Sequence, residues 1–203
     1  MASDLVRGAR RVPQQQRAAA RLETILQAAG LAIAQHGYQA ATMTHIAALA
    51  GTSIGALYQY FPNKEALAHS LRTQYADRMD ARWSELASGA QGLPLAELVA
   101  RLFDLMLDFL RTHPACMELI NAPMAFQRDQ QLRDRLLRRF AQLFVQRQPT
   151  LAPDEAYLIA NVTLQIVRSL NPLYQMAADV PARARLAAEF QAAVTSYLRM
   201  RLA

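Results

Sequence analysis

Between residues 42 and 64 the chain gathers side chains ending in hydroxyls or an ammonium: Thr42, Thr44, Ser53, Tyr58, Tyr60 and Lys64. Such groups suit the oxygens of a phosphodiester backbone, and contacts of that kind set register on a duplex without reading its sequence. Nothing pairs them with the base, metal or second nucleophile that catalysis needs. The four histidines, His36, His45, His69 and His113, form neither a HExxH nor a zinc spacing. There is no Gly-rich phosphate loop and no G-x-S-x-G. His113, Cys116 and Glu118 stand close in sequence, but a single cysteine beside a break at Pro114 favours ordinary packing over a metal or thiol site. The expectation is a protein that is no enzyme and carries no cofactor and no metal.

The spacing around these residues predicts how they are held. Thr42 can cap a short helix whose inner face is Ile46 and Leu49. Gly51 supplies a left-handed turn that a β-carbon would strain. Ser53 can cap a second helix, on which Leu57 and Phe61, four apart, face back to a core. Ala47 and Ala50 are small enough for the two helices to pack closely. The result is helix, three-residue turn, helix, the geometry that lays a second helix in the major groove of DNA.

Residues 25–67 resemble the DNA-binding end of the tetracycline-repressor (TetR) family. The resemblance rests on Ile25-Leu26-x-Ala28-Ala29, Gly37-Tyr38, Thr42, Ile46-Ala47, Ala50-Gly51-Thr52-Ser53, Gly55-x-Leu57-Tyr58-x-Tyr60-Phe61 and Lys64-Glu65-x-Leu67. It implies that Thr42 and the neighbouring backbone contact a phosphate at a helix N-terminus. It implies that Thr44, Ser53, Ile54, Gly55, Ala56 and Gln59 face the groove, that Tyr58 and Tyr60 give hydroxyls to phosphates on either side, and that Lys64 anchors a further phosphate. Tyr58 and Tyr60 could instead pack as core aromatics, although two residues apart on a helix at most one is fully core. Lys64 is the single lysine beside 21 arginines. Ile54 and Ala56 could touch thymine methyls, which would leave specificity to Thr44, Gln59 and DNA shape.

The same resemblance implies a dimeric, ligand-responsive transcriptional repressor. Two recognition helices would sit about one DNA turn apart on a palindromic operator. A small hydrophobic effector would release the DNA by favouring another spacing. A constitutive DNA-binding protein without an effector is the alternative.

Composition frames this reading. Hydrophobic residues make up 53% and charged residues 19%, which fits a folded soluble chain rather than a disordered one. No apolar run approaches the roughly 20 residues of a membrane helix, and the basic N-terminus lacks the apolar stretch of a secretory signal. The lone Cys116 rules out an internal disulfide and fits a reducing compartment, so the chain is expected in the cytoplasm, with no membrane partner. The net charge is +6, and residues 1–64 hold six basic side chains against two acidic ones. That excess suits an anionic partner. Arg7, Arg10, Arg11, Arg17 and Arg21 could add phosphate or minor-groove contacts.

The chain reads as all-α. Alanine, leucine, glutamine and arginine favour helix, and apolar residues recur at helical spacing. Nine helices are expected, at about 16–36, 43–50, 54–60, 63–88, 94–112, 115–122, 127–147, 154–177 and 182–201. Proline marks most of the breaks; Pro172, inside an apolar segment, should kink or break a helix near Leu170. Three parts follow: a flexible basic arm over 1–15, a helix-turn-helix domain over 16–62, and a larger effector-binding and dimerisation domain over 63–203.

In the larger part, Phe103, Met106, Met117, Met124 and Phe126 belong to a run dense in methionines and aromatics that suits an adaptable pocket, or an ordinary core. Asn161, Gln165 and Arg168 form one stripe on the eighth helix, which could face a ligand carrying oxygen, a polar edge or a dimer contact. The family pairs its last two helices with those of a second copy. Leu186, Phe190, Val194 and Tyr197 could serve that homodimer or face their own core.

Overall fold

The computed structural model describes residues 14–90, 92–122 and 126–202, and these form helices joined by short turns, with no strand among them. The order is α1 (Gln14–Ala40), α2 (Met43–Leu49), α3 (Ile54–Tyr60), α4 (Lys64–Gly89), α5 (Leu95–Thr112), α6 (Ala115–Asn121), α7 (Phe126–Arg147), α8 (Pro153–Met176) and α9 (Val180–Arg201). Local chemistry sets several of these starts. Asn63 caps α4 by accepting from the Ala66 amide, and Asp179 caps α9 by accepting from the Ala182 amide. Pro153 opens α8, followed by Asp154 and Glu155 at the positive end of its dipole.

Two apolar cores form. The first joins α1, α2, α3, the N-terminal half of α4, the end of α5, and α6, around Ile25, Ile33, Ile46, Leu57, Leu67, Leu71 and Phe109. The second joins α5, α7, α8 and α9 around Phe103, Phe140, Phe144, Ile159 and Val194. α4 spans both. Its Leu67, Leu71 and Tyr75 sit in the first core, while Trp83, Leu86 and Ala87 pack on the second. Ion pairs hold it on several sides: Arg78 to Glu23 of α1 at 2.8 Å, Arg82 to Asp108 of α5 at 2.7 Å, and Asp77 and Asp80 to Arg135 and Arg139 of α7.

The structure departs from the sequence expectations at three places. α1 does not stop at residue 36: the backbone breaks at Gly37, where φ is +76°, and one more turn runs to Ala40. Leu49 is 46% exposed, so the inner face of α2 is Met43, Ile46 and Ala47 instead of Ile46 and Leu49. Pro172 does not end α8, which runs on to Met176. A proline withholds one helical hydrogen bond; buried Leu170 before it and half-buried Tyr174 after it keep the segment packed on the second core. Of the two alternatives for the α9 stripe, the chain's own core holds: Val194 is buried and Leu186, Phe190 and Tyr197 are partly buried against the second core. Exposed apolar side chains on the last two helices are instead Leu158, Leu173, Met176, Val180 and Met200.

Candidate nucleic-acid interface

α2 and α3 are seven residues each, too short to hold shape alone, so their ends must be satisfied from outside the helical ladder. Thr42 Oγ1 accepts from the His45 amide at 3.2 Å, and Ser53 Oγ accepts from the Ala56 amide at 3.1 Å. Gly51 takes φ +61° in the turn, where the Thr52 amide donates back to the Ala47 carbonyl at 3.0 Å. A fourth tie comes from outside the motif: Arg21 Nη2 on α1 donates to Thr52 Oγ1 at 2.7 Å. Arg21, which could add a phosphate or minor-groove contact, here braces the turn through one guanidinium nitrogen.

Burial sorts the motif into two sides. Met43, Ile46, Ala47, Leu57 and Phe61 face the first core. Thr42, Thr44, Ser53, Ile54, Gly55, Tyr58, Gln59 and Tyr60 are exposed, and Ala56 is half-exposed. Tyr58 and Tyr60, at 50% and 36% exposure, are therefore not core aromatics. The first turns of α2 and α3 carry no acidic residue, so their positive dipole ends face outward uncompensated by any carboxylate of their own.

Lys64 is placed differently from the other polar residues. Its Nζ donates to the carbonyls of Tyr38 at 2.9 Å and Gln39 at 3.0 Å, and stands 4.6 Å above the Tyr38 ring. The ammonium thus caps the last carbonyls of α1, which leaves one of its three hydrogens for a phosphate. The arm residues Arg7, Arg10 and Arg11 lie outside the described residues.

The described members of the sequence-nominated pocket fall on α5, α6, α7 and α8. Phe103 is fully buried in the second core, Met106 packs between the two cores, and Met117 is half-buried on α6. Met124 and the side chain of Phe126 lie outside the described residues. Asn161 Oδ1 accepts from Arg133 Nη2 of α7 at 2.9 Å, Gln165 is exposed, and Arg168 is half-buried. Burial, then the nearby Arg133, pulls the Arg168 guanidinium below its ordinary value. Cys116 is buried with its thiol pushed up to about 12 by desolvation, which makes it a packing residue rather than a nucleophile.

Two clefts open elsewhere. One of about 470 Å³ lies along α4 beside Leu26 of α1, and one of about 270 Å³ lies between α4 and α7 beside Trp83 and Arg139. None of the sequence-nominated pocket residues lines either. Their walls are built by helices far apart in sequence, so no local spacing announced them. Among the described residues no helix is long and apolar enough to cross a membrane.

Residues 25–71 match the family described as bacterial regulatory proteins, tetR family, and residues 94–198 match the tetracyclin repressor-like C-terminal domain. An uncharacterised HTH-type transcriptional regulator of Bacillus subtilis, YhgD, is 33% identical over 99 residues, 49% of this chain and 51% of that protein. The match thus spans about half the length of that relative. Solved structures share the fold over nearly their whole length. A TetR-family transcriptional regulator from Streptomyces coelicolor superposes with a TM-score of 0.70 at 23% identity, over 89% of this chain and 98% of that one. The regulator FadR of Bacillus subtilis, in complex with stearoyl-CoA, superposes with a TM-score of 0.71 at 17% identity, over 86% of this chain and 98% of that one.

Proposed function

The chain belongs to the tetR family of bacterial regulatory proteins, a family of transcription regulators with a DNA-binding helix-turn-helix, and from that premise we propose that it is a ligand-responsive, dimeric repressor of a palindromic operator. The observation that carries the DNA part is the exposure of the motif's polar side chains. Thr42, Thr44, Ser53, Ile54, Gly55, Tyr58, Gln59 and Tyr60 are exposed and Ala56 is half-exposed, beside two helix starts without carboxylates. Thr42, Tyr58 and Tyr60 grip phosphates, Lys64 gives its remaining hydrogen to another, and the others face the bases. The protein works in the cytoplasm, where its operator is.

The homodimer forms through α8 and α9. Leu158, Leu173, Met176, Val180 and Met200 are exposed apolar side chains on those helices, which a second copy would cover. Two copies also give the affinity that one short recognition helix lacks. Binding of stearoyl-CoA by FadR supports a small hydrophobic effector held in the C-terminal helices. Phe103, Met106, Met117, Met124, Phe126, Asn161, Gln165 and Arg168 remain its proposed contacts.

The test is selection of bound duplexes from a random pool by the purified chain. A palindrome with two half-sites is the expected result, and absence of any sequence preference would sink the proposal. A constitutive DNA-binding protein would give the same palindrome yet no thermal shift with a panel of small molecules. Unchanged effector response in both Phe103→Ala and Arg168→Ala would remove those residues from the site.

A further inference from the structure

The cleft between the C-terminal halves of α4 and α7 has the chemistry of a binding site in its own right. Trp83 and Ala87 of α4 and Leu143 of α7 supply apolar wall; Arg139, Gln142 and Gln146 of α7 supply polar wall. Trp83 crosses the Phe140 ring edge to face, with centroids 4.2 Å apart, so the indole is fixed on one side. Its Nε1–H is buried without a hydrogen-bond partner. Native cores rarely leave such a donor unpaired, and each instance calls for an explanation.

The polar groups around it are one cation and neutral groups. Ser84 and Ser88 donate their hydroxyl hydrogens to the Asp80 and Glu85 carbonyls of their own helix. No carboxylate lines the cleft. The groups able to donate are the Arg139 guanidinium and the two glutamine amides, which can also accept; the indole N–H is covered. Asp80 accepts from Arg139 Nε at 3.1 Å, which orients the guanidinium and leaves the Nη fork for a second acceptor. At about 270 Å³ the cleft falls below the span of pockets for drug-sized ligands, roughly 300–1,000 Å³, so one ring fits better than a long chain.

We propose that this cleft binds a small monocarboxylate carrying a single ring. The ring lies between Trp83 and Leu143, the carboxylate takes the Nη fork of Arg139, and one of its oxygens turns toward Trp83 Nε1. Because Nε1 is covered as the helices stand, its engagement requires α4 and α7 to part slightly. Further along α4, Gln74 and Arg78 both donate to Glu23 of α1. A ring wedged at one end of α4 therefore shifts the helix that α1 and the recognition motif lean on. That consequence rests on the effector-responsive reading above; the binding itself does not.

Trp83 is the single tryptophan of the chain, so tryptophan emission reports this cleft alone. Benzoate, phenylacetate and cyclohexanecarboxylate are titrated into the full chain, with benzamide as the neutral control. The expected result is a saturable change in emission with at least one of the acids, at least tenfold weaker with benzamide and in Arg139→Gln. Trp83→Phe, followed by calorimetry, should also weaken the acid at least several-fold. No saturable change with any of the three acids overturns the site, as does a response that Arg139→Gln leaves intact. Release of the selected operator by the bound acid supports this cleft as the effector site. Binding without release leaves the site standing and removes it from regulation.

Discussion

Lys64 and Tyr38 are joined twice: the ammonium donates to the Tyr38 carbonyl at 2.9 Å and stands 4.6 Å from the centroid of its ring. With the Gln39 carbonyl added, the first residue of α4 closes the end of α1. Lys64→Gln should therefore lower stability, by about 1–2 kcal/mol for hydrogen bonds to a charged group at a half-exposed site. Urea unfolding reads this as a shifted midpoint at constant m. If the same ammonium also meets a phosphate, the salt dependence of DNA binding flattens by about 0.9 in log–log slope. Loss of stability with an unchanged slope would assign Lys64 wholly to the α1–α4 junction.

Tyr58 and Tyr60 hold exposed side chains on α3. Tyr58→Phe and Tyr60→Phe should each weaken DNA binding several-fold, on the order of 1 kcal/mol. The loss should be equal on operator and unrelated duplexes, since phosphates carry no sequence information. Stability should stay within about 0.5 kcal/mol. Fluorescence anisotropy on both duplexes measures the first effect, and an operator-only loss would place the hydroxyl on a base.

His113 should make stability depend on pH. Its ring stacks on Phe109 at 4.3 Å and meets the edge of Tyr75 at 5.0 Å. With the proton on Nδ1 the ring donates to the Phe109 carbonyl, 3.1 Å away, and its Nε2 accepts from Arg78 Nη1 at 3.2 Å. Burial is the main cause that holds its folded value below 6.5; the Phe109 carbonyl and Asp108 oppose it, while Arg78 and Arg82 add to it. The unfolded chain thus binds this proton more readily than the folded one. Stability from His113 is complete above about pH 6.5 and falls as pH drops through the folded value. Urea midpoints from about pH 7 to 5 should decline, and His113→Gln should remove that share of the slope. An identical slope in the variant would refute it.

Gly30 on α1 lies under Tyr75 of α4, and a β-carbon there would come within 2.9 Å of the phenol oxygen. Tyr75 cannot swing aside cheaply, being buried between Phe109 and His113. Gly30→Ala should cost about 1–3 kcal/mol as an overpacked core does. Adding Tyr75→Phe removes the clashing oxygen and should restore part of the loss, a non-additivity that a double-mutant cycle detects.

The DNA-binding end was legible because its instructions are local. Thr42, Ser53 and Asn63 each cap the helix that follows them within three residues, and Gly51 turns the chain between two of those caps. Leu49 misled because a seven-residue helix buries one narrow stripe, which Met43, Ile46 and Ala47 fill. Periodicity on α9 found the inward stripe correctly but could not say which protein it faced. The residues around the α4–α7 cleft were illegible for a different reason: Trp83 and Arg139 meet only after two helices have packed, and an unpaired indole N–H has no signature in sequence.

The exposed start of α3 is Ile54, Gly55 and Ala56, with no charged side chain among them. A surface that meets base edges through apolar contact responds to methyl groups, and the thymine methyl is attached at C5 of a pyrimidine. Cytosine methylated at C5 carries the same group in the same place. Such a surface would treat a modified cytosine much as it treats thymine, so covalent marking of the chromosome could change which sites this regulator occupies with no change in the genetic text.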